Sequence, residues 1–308
     1  MTRHPFKFVL LLAAGALLSV GCGSSRQSVW EEETTAPTAA AQAAEPAAQE
    51  RRTALLAEAS AAWAERGDEA KLRVAIAKWE EALAMNGGSL EEWSALSRGY
   101  YFLADGHLSF DESKQEEMLA TFEKGTRAAE RGLVAASPAF ATRMREGARI
   151  EETLNLFDRT AVPALYWRST NLGKWASAQG FATLLSYKDE IRAVMSRCLE
   201  LDANYFYGAP HRYFGAFFSR APAYAGGDLA KSKEHFEASL AIEGRYFATH
   251  VLFAGDYAVK AQNRAVFTEH LNLVINGDPN ALPDVAPENV VEQRKARDLL
   301  ARADEIFE

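Results

Sequence analysis

From about Thr53 onward, apolar residues recur every three or four positions, and no stretch alternates apolar and polar residues as a half-buried strand would. The pattern predicts an all-α protein. Three segments share a finer spacing just before a break. Ala75, Trp79 and Ala82 precede a Gly pair; Ile191, Met195 and Cys198 precede Asp202; Ser232, Phe236 and Ser239 precede Gly244. Small residues at such positions let two helices cross closely.

That spacing resembles the second helix of a tetratricopeptide repeat, including its LELDANY exit. The first-helix signature shows once, as Trp93, Leu96, Ser97 and Tyr100, behind a capping box that starts at Ser89 and ends at Glu92. Exits near 86, 202 and 243 do not fit one period of 34, and "ADGHLSFDESKQ" interrupts the series before a long helix from Gln115. The expectation is one superhelical or bundled domain of cryptic tetratricopeptide-like repeats over 52–308.

Upstream, the pattern changes. Arg3, His4 and Lys7 precede an apolar run from Phe8 to Val20, which ends in Ser19-Val20-Gly21-Cys22. This resembles a bacterial lipoprotein signal over 1–21, with Cys22 as the acylated residue; Ser19 stands where such signals usually carry Leu. Gly23 after the cysteine favours an outer-membrane anchor, in the periplasm. Residues 22–51 are rich in Ala, Pro, Gln and Glu, and read as a disordered tether reaching roughly 30 Å. With Cys22 acylated, Cys198 has no partner for an intrachain disulfide and reads as a packing residue.

Composition narrows the chemistry. The chain carries 34 basic and 42 acidic residues, a net charge of −8, and losing Arg3 and Lys7 with the signal makes it more acidic. This balance argues against nucleic acid and against anionic lipid surfaces, leaving the lipid anchor as the one expected membrane contact. No histidine forms HExxH or another ligand pair one helical turn apart, and no GxGxxG, P-loop or GxSxG occurs. No catalytic residue, cofactor or metal site is expected.

Two stretches remain as candidates for binding. Trp167, Asn171 and Trp175 fall at i, i+4 and i+8 on one helix face, as core or as the wall of a pocket. In "GAPHRYFGAFFSRAPAYAGGD", Pro210 suits a helix start, Pro222 and the Gly226-Gly227 pair end it, and Asp228 caps the next helix. Tyr213, Phe214, Phe217 and Phe218 make a wide apolar face. His211 and Arg212 are left over: Arg212 either pairs with a carboxylate on a facing helix or captures a ligand's acid group.

From Ala164 to Phe307 the chain resembles the TatT family, the periplasmic T components associated with some tripartite ATP-independent periplasmic (TRAP) transporters. The resemblance lies in "ALYW", "LELDANYFYGAPHRYFG", "GGDLAKSKEHFEASL", "AGDYAVKAQNRAVFTEHL" and "PENVVEQRKARDLLARADEIF". It implies a tetratricopeptide-like homotrimer with an internal cavity or pore in each protomer. It also implies association with the solute-binding P component and transfer of a small hydrophobic or carboxylate ligand. "STNLGKW" departs from the family pattern. The alternative is a general repeat scaffold for envelope or pilus assembly, whose concave face takes a peptide and no small molecule.

Overall fold

The computed structural model describes residues 26–32 and 46–308. Among them every regular element is helical, as the apolar spacing predicts. The signal, Cys22 and Gly23 lie outside the described residues.

The chain runs through α1 (Pro46–Ala64), α2 (Glu69–Asn86), α3 (Leu90–Phe102), α4 (Gln115–Ala136), α5 (Pro138–Arg145), α6 (Val162–Gln179) and α7 (Phe181–Leu201). It continues through α8 (Tyr205–Arg220), α9 (Leu229–Ile242), α10 (Phe247–Leu252), α11 (Arg264–Asn276), α12 (Ala286–Ala301) and α13 (Ala303–Ile306). Local chemistry sets many of the boundaries. Ser89 and Glu92 exchange the two bonds of a capping box at the start of α3. Asp68 and Asp228 each accept from two backbone N–H groups at the starts of α2 and α9. The insertion after α3 is a π-helical turn, Leu103–His107, followed by short 3-10 turns. A second π-helical turn, Phe253–Ala258, extends α10.

Consecutive helices pack against one another, and four apolar clusters result, the smallest formed by Tyr246, Leu282 and Val285. Leu72, Trp79, Leu96 and Phe102 fill the space among α1, α2 and α3. Phe140, Leu165, Met195 and Cys198 belong to a larger cluster spanning α4 to α8. Phe267, Leu271 and Val274 form the third, under α10 to α12. Cys198 is wholly buried, and burial pushes its thiol well above the usual range, which suits a packing residue.

The crossing of α3, α4 and α6 is unusually close. Ser97 donates to the Gly125 carbonyl at 2.7 Å, and the Asn171 amide donates to the carbonyls of Trp167 and Ser97. A Cβ on Gly125 would lie 2.4 Å from Asn171 Oδ1, so only glycine fits there. The Asn171 amide nitrogen thus finds its buried partners in these two carbonyls and in the Ser97 hydroxyl.

The two ends of the helical series meet through charge. Arg66, just after α1, and Arg98 on α3 both bind Glu288 on α12, each at 2.7 Å. Lys295 on α12 reaches Asp105 in the first π-turn, also at 2.7 Å. Breaking a buried pair of this kind costs about 3–5 kcal/mol. The seam thus closes the helical array on itself.

The N-terminal segment differs from the sequence expectation. Residues 26–32 are docked against α4, α5 and α6, and α1 begins at Pro46, within the stretch read as tether. The Arg26 guanidinium donates to both oxygens of Glu130, at 2.7 and 2.9 Å, and Trp30 stands edge-on to Phe140 at 5.6 Å. Composition hides this because one Arg and one Trp supply the attachment while their neighbours stay polar.

Candidate functional site

Inside the closed seam, aromatic and charged side chains from distant parts of the chain meet in one cluster. Arg98 lies over three aromatic rings: Trp63 at 5.0 Å, Trp167 at 5.8 Å and Phe206 at 4.7 Å. Trp167 in turn meets Tyr101 and Phe206, both at 5.2 Å, and Phe206 meets Tyr246 at 5.5 Å. These rings come from α3, α6, the α7–α8 link and the start of α10.

The polar groups of the same cluster come largely from the two π-turns and α12. Asp105, in the first π-turn, receives Lys174 at 2.6 Å and Lys295 at 2.7 Å. Asp256, in the second, receives Arg220 at 2.8 Å. Lys295 also holds Glu292 at 2.8 Å. A π-turn widens the helix by one residue and re-aims the side chain it carries, which is how both carboxylates turn inward.

The partial exposure of two of these side chains shows that water reaches them. Arg220 presents 56% of its side chain to solvent, yet protein surrounds it closely, with the Tyr101 ring among the groups that act on its charge. Tyr101 is partly accessible and packs against Phe122 and Trp167. A recess of about 280 Å³ bounded by Val251, Leu299 and Lys295 adjoins the cluster. A larger cleft, about 540 Å³, lies between α2, α3 and α4 beside Trp93, Tyr100 and Arg131, away from this chemistry.

Asp105 and Lys295 hold each other ionised. Burial alone would raise the Asp105 carboxyl, but Lys174 and Lys295 outweigh it and hold it well below the usual range. Burial would lower Lys295, yet Asp105 and Glu292 hold its ammonium far above the ordinary value. Six cations converge on the space (Arg66, Arg98, Lys174, Arg212, Arg220, Lys295) against four carboxylates, Asp105, Asp256, Glu288 and Glu292. In a chain of net charge −8, the chamber is therefore locally positive.

The residues singled out from the sequence are divided by the structure. Trp167 is buried in the chamber wall, Asn171 lies in the helix crossing, and Trp175 packs on Tyr187 of α7 at 5.9 Å. Arg212 is buried and, among the described residues, pairs with no carboxylate. Its Nη1 donates to the Tyr207 carbonyl at 3.0 Å and to Thr249 at 3.3 Å, and its Nη2 donates to the Phe206 carbonyl at 3.2 Å. Those carbonyls belong to a left-handed turn in which Phe206, Tyr207 and Gly208 have φ of 42°, 59° and 73°. Such conformations cost about 1–3 kcal/mol for each residue with a side chain, so the guanidinium is what fastens them. The turn is what swings Phe206 into the chamber. Right-handed helix resumes beyond Gly208, with Pro210 in its first turn.

Tyr213, Phe214, Phe217 and Phe218 pack on one another, and Phe214 and Phe218 also flank His235. His211 meets that same histidine at 3.0 Å. Arg98, Tyr101, Asp105 and Tyr246 are not legible in the sequence, because partners lie up to 190 residues away, and α12 shows there only as the family-like "PENVVEQRKARDLLARADEIF". The surplus of aromatic residues in "YYF" before the insertion was the one other available signal.

An all-helical protein closed around a water-reached, aromatic and locally positive chamber is what the fold and site define. The chain belongs to the TRAP transporter T-component family, whose pattern matches residues 102–307. That span takes in both π-turns, the left-handed turn and α12. A protein of Treponema pallidum (strain Nichols), described as uncharacterized, is 27% identical over 195 residues. The alignment covers 60% of this chain and 58% of that protein, so the chain spans a little over half the length of this relative.

Proposed function

We propose that this chain is a lipid-anchored periplasmic accessory subunit of a TRAP-type uptake system, and that it holds or passes a small apolar carboxylate in its central chamber. The observation that carries the reading is Arg98, set over Trp63, Trp167 and Phe206 in a space where cations outnumber carboxylates. Aromatic faces suit the apolar body of such a ligand, and the surplus positive charge suits its acid group. Family membership supports a role beside a transporter and not as a catalyst.

In this reading the subunit works with the solute-binding component, anchors through Cys22, and assembles as a homotrimer. Co-expression with a solute-binding subunit from the same genome, followed by native mass spectrometry, tests it. A retained heterocomplex and a small acid bound to this chain are expected. Separate, ligand-free species at every solute concentration would overturn it.

A further inference from the structure

Two histidine pairs stand between consecutive helices, and both have the same construction. His211 on α8 meets His235 on α9 with their Nδ1 atoms 3.0 Å apart. His250 on α10 meets His270 on α11, Nδ1 to Nδ1, at 2.7 Å. The surrounding sequence repeats as well: "HRYFG" from His211 is answered by "EHF" around His235, and "HVLFA" from His250 by "EHL" around His270. In each unit the phenylalanine three places after the first histidine lies against the ring of the second, Phe214 at 5.3 Å and Phe253 at 4.7 Å.

Two Nδ1 atoms in contact need one bare lone pair between them, because a neutral imidazole carries a single N–H. In the second unit its source is visible. His250 Nε2 stands 2.8 Å from the Gly244 carbonyl, which only accepts, so the ring proton sits on Nε2 and the Nδ1 lone pair points at His270. A backbone carbonyl that fixes the far nitrogen in this way is the arrangement that orients metal-ligating histidines.

The separations fit an ion. Nitrogens about 2.0 Å from a metal stand about 2.9 Å apart in cis positions of a square plane, and about 3.3 Å apart in a tetrahedron. We propose that each pair is a binding site for a divalent transition ion that takes cis nitrogen ligands, Cu2+ or Ni2+ before Zn2+. Among the described residues no third His, Cys, Asp or Glu joins either pair, so the other positions are left to water or an incoming ligand. Metal entry at the second site moves the His270 proton from Nδ1 to Nε2, with no net proton released. From the sequence no metal site is expected, because the pairs form across helices and not along one. The sites are independent of the chamber.

Copper titration of the full chain at pH 7.5 in a non-chelating buffer tests the proposal, with pulsed electron paramagnetic resonance of the bound ion. Two equivalents per chain are expected, each coupled to two imidazoles. His235→Ala is expected to remove one equivalent, His270→Ala the other, and the double variant both. Uptake below one equivalent, or an unchanged stoichiometry in the double variant, which keeps His4, His107, His211 and His250, would overturn it. Should a variant not fold, the spectrum of the parent protein decides alone: one imidazole per ion, or none, contradicts the sites.

Discussion

Arg212 donates from Nη1 to the Tyr207 carbonyl at 3.0 Å, and so fastens a turn that runs left-handed through three consecutive residues. Replacing it with Met keeps much of the volume and removes the donors. Arg212→Met is expected to lower unfolding stability by about 2–4 kcal/mol, since buried carbonyls lose charged partners and the strained turn is released. Arg212→Lys keeps the charge but not the planar fork, and is expected to fall between the two. Urea denaturation checks the order. An Arg212→Met protein as stable as the parent would show that the turn holds without the guanidinium.

The close crossing of α4 and α6 makes a second expectation. Gly125→Ala drives a methyl group into Asn171 Oδ1 and is expected to cost about 1–3 kcal/mol. Gly125→Ala with Asn171→Ala opens the space, so the pair should be less destabilised than the sum of the single variants. A double-mutant cycle measures that difference. Simple additivity would mean that the helices move apart instead.

Acid should loosen the N-terminal segment. Burial raises the Glu130 carboxyl, but Arg168 and Arg26 outweigh burial and hold it below the ordinary value. The folded pKa then lies below the unfolded one, about 4.3. The stabilisation is complete above the unfolded value and is lost as pH falls through the folded one. Melting temperature should therefore drop in this window for the parent. Glu130→Gln should already be less stable at pH 7, with a flatter acid limb, because it leaves Arg168 and Arg26 without their shared carboxylate. Equal acid limbs in the two proteins would contradict this.

Much of the fold was legible because helices announce themselves locally. The apolar spacing of Ala75, Trp79 and Ala82, the Ser89–Glu92 box and the Asp228 cap each depend on neighbours within a few positions. The chamber was legible only in Trp167 and in the aromatic surplus of "YYF" ahead of the insertion. Arg98 and Glu288 stand 190 residues apart, and nothing near either residue signals the other. Arg212 was recognisable as unusual, but its partners are carbonyls of a left-handed turn, and an L-residue such as Phe206 does not advertise positive φ. The docked segment was missed for a related reason: Arg26 and Trp30 are two residues in a stretch whose average composition predicts disorder.

The chamber itself admits a direct measurement. Crystals of the protein soaked with 4-bromobenzoate, and in parallel with 4-bromobenzyl alcohol, locate the ligand by the anomalous signal of bromine. The account predicts a bromine peak among Tyr101, Trp167, Phe206 and Tyr246 for the acid, with its carboxylate within ion-pair distance of Arg98 or Arg220, and weaker occupancy for the alcohol. A bromine peak only in the cleft between α2 and α4, or none in the chamber for either compound, would contradict it.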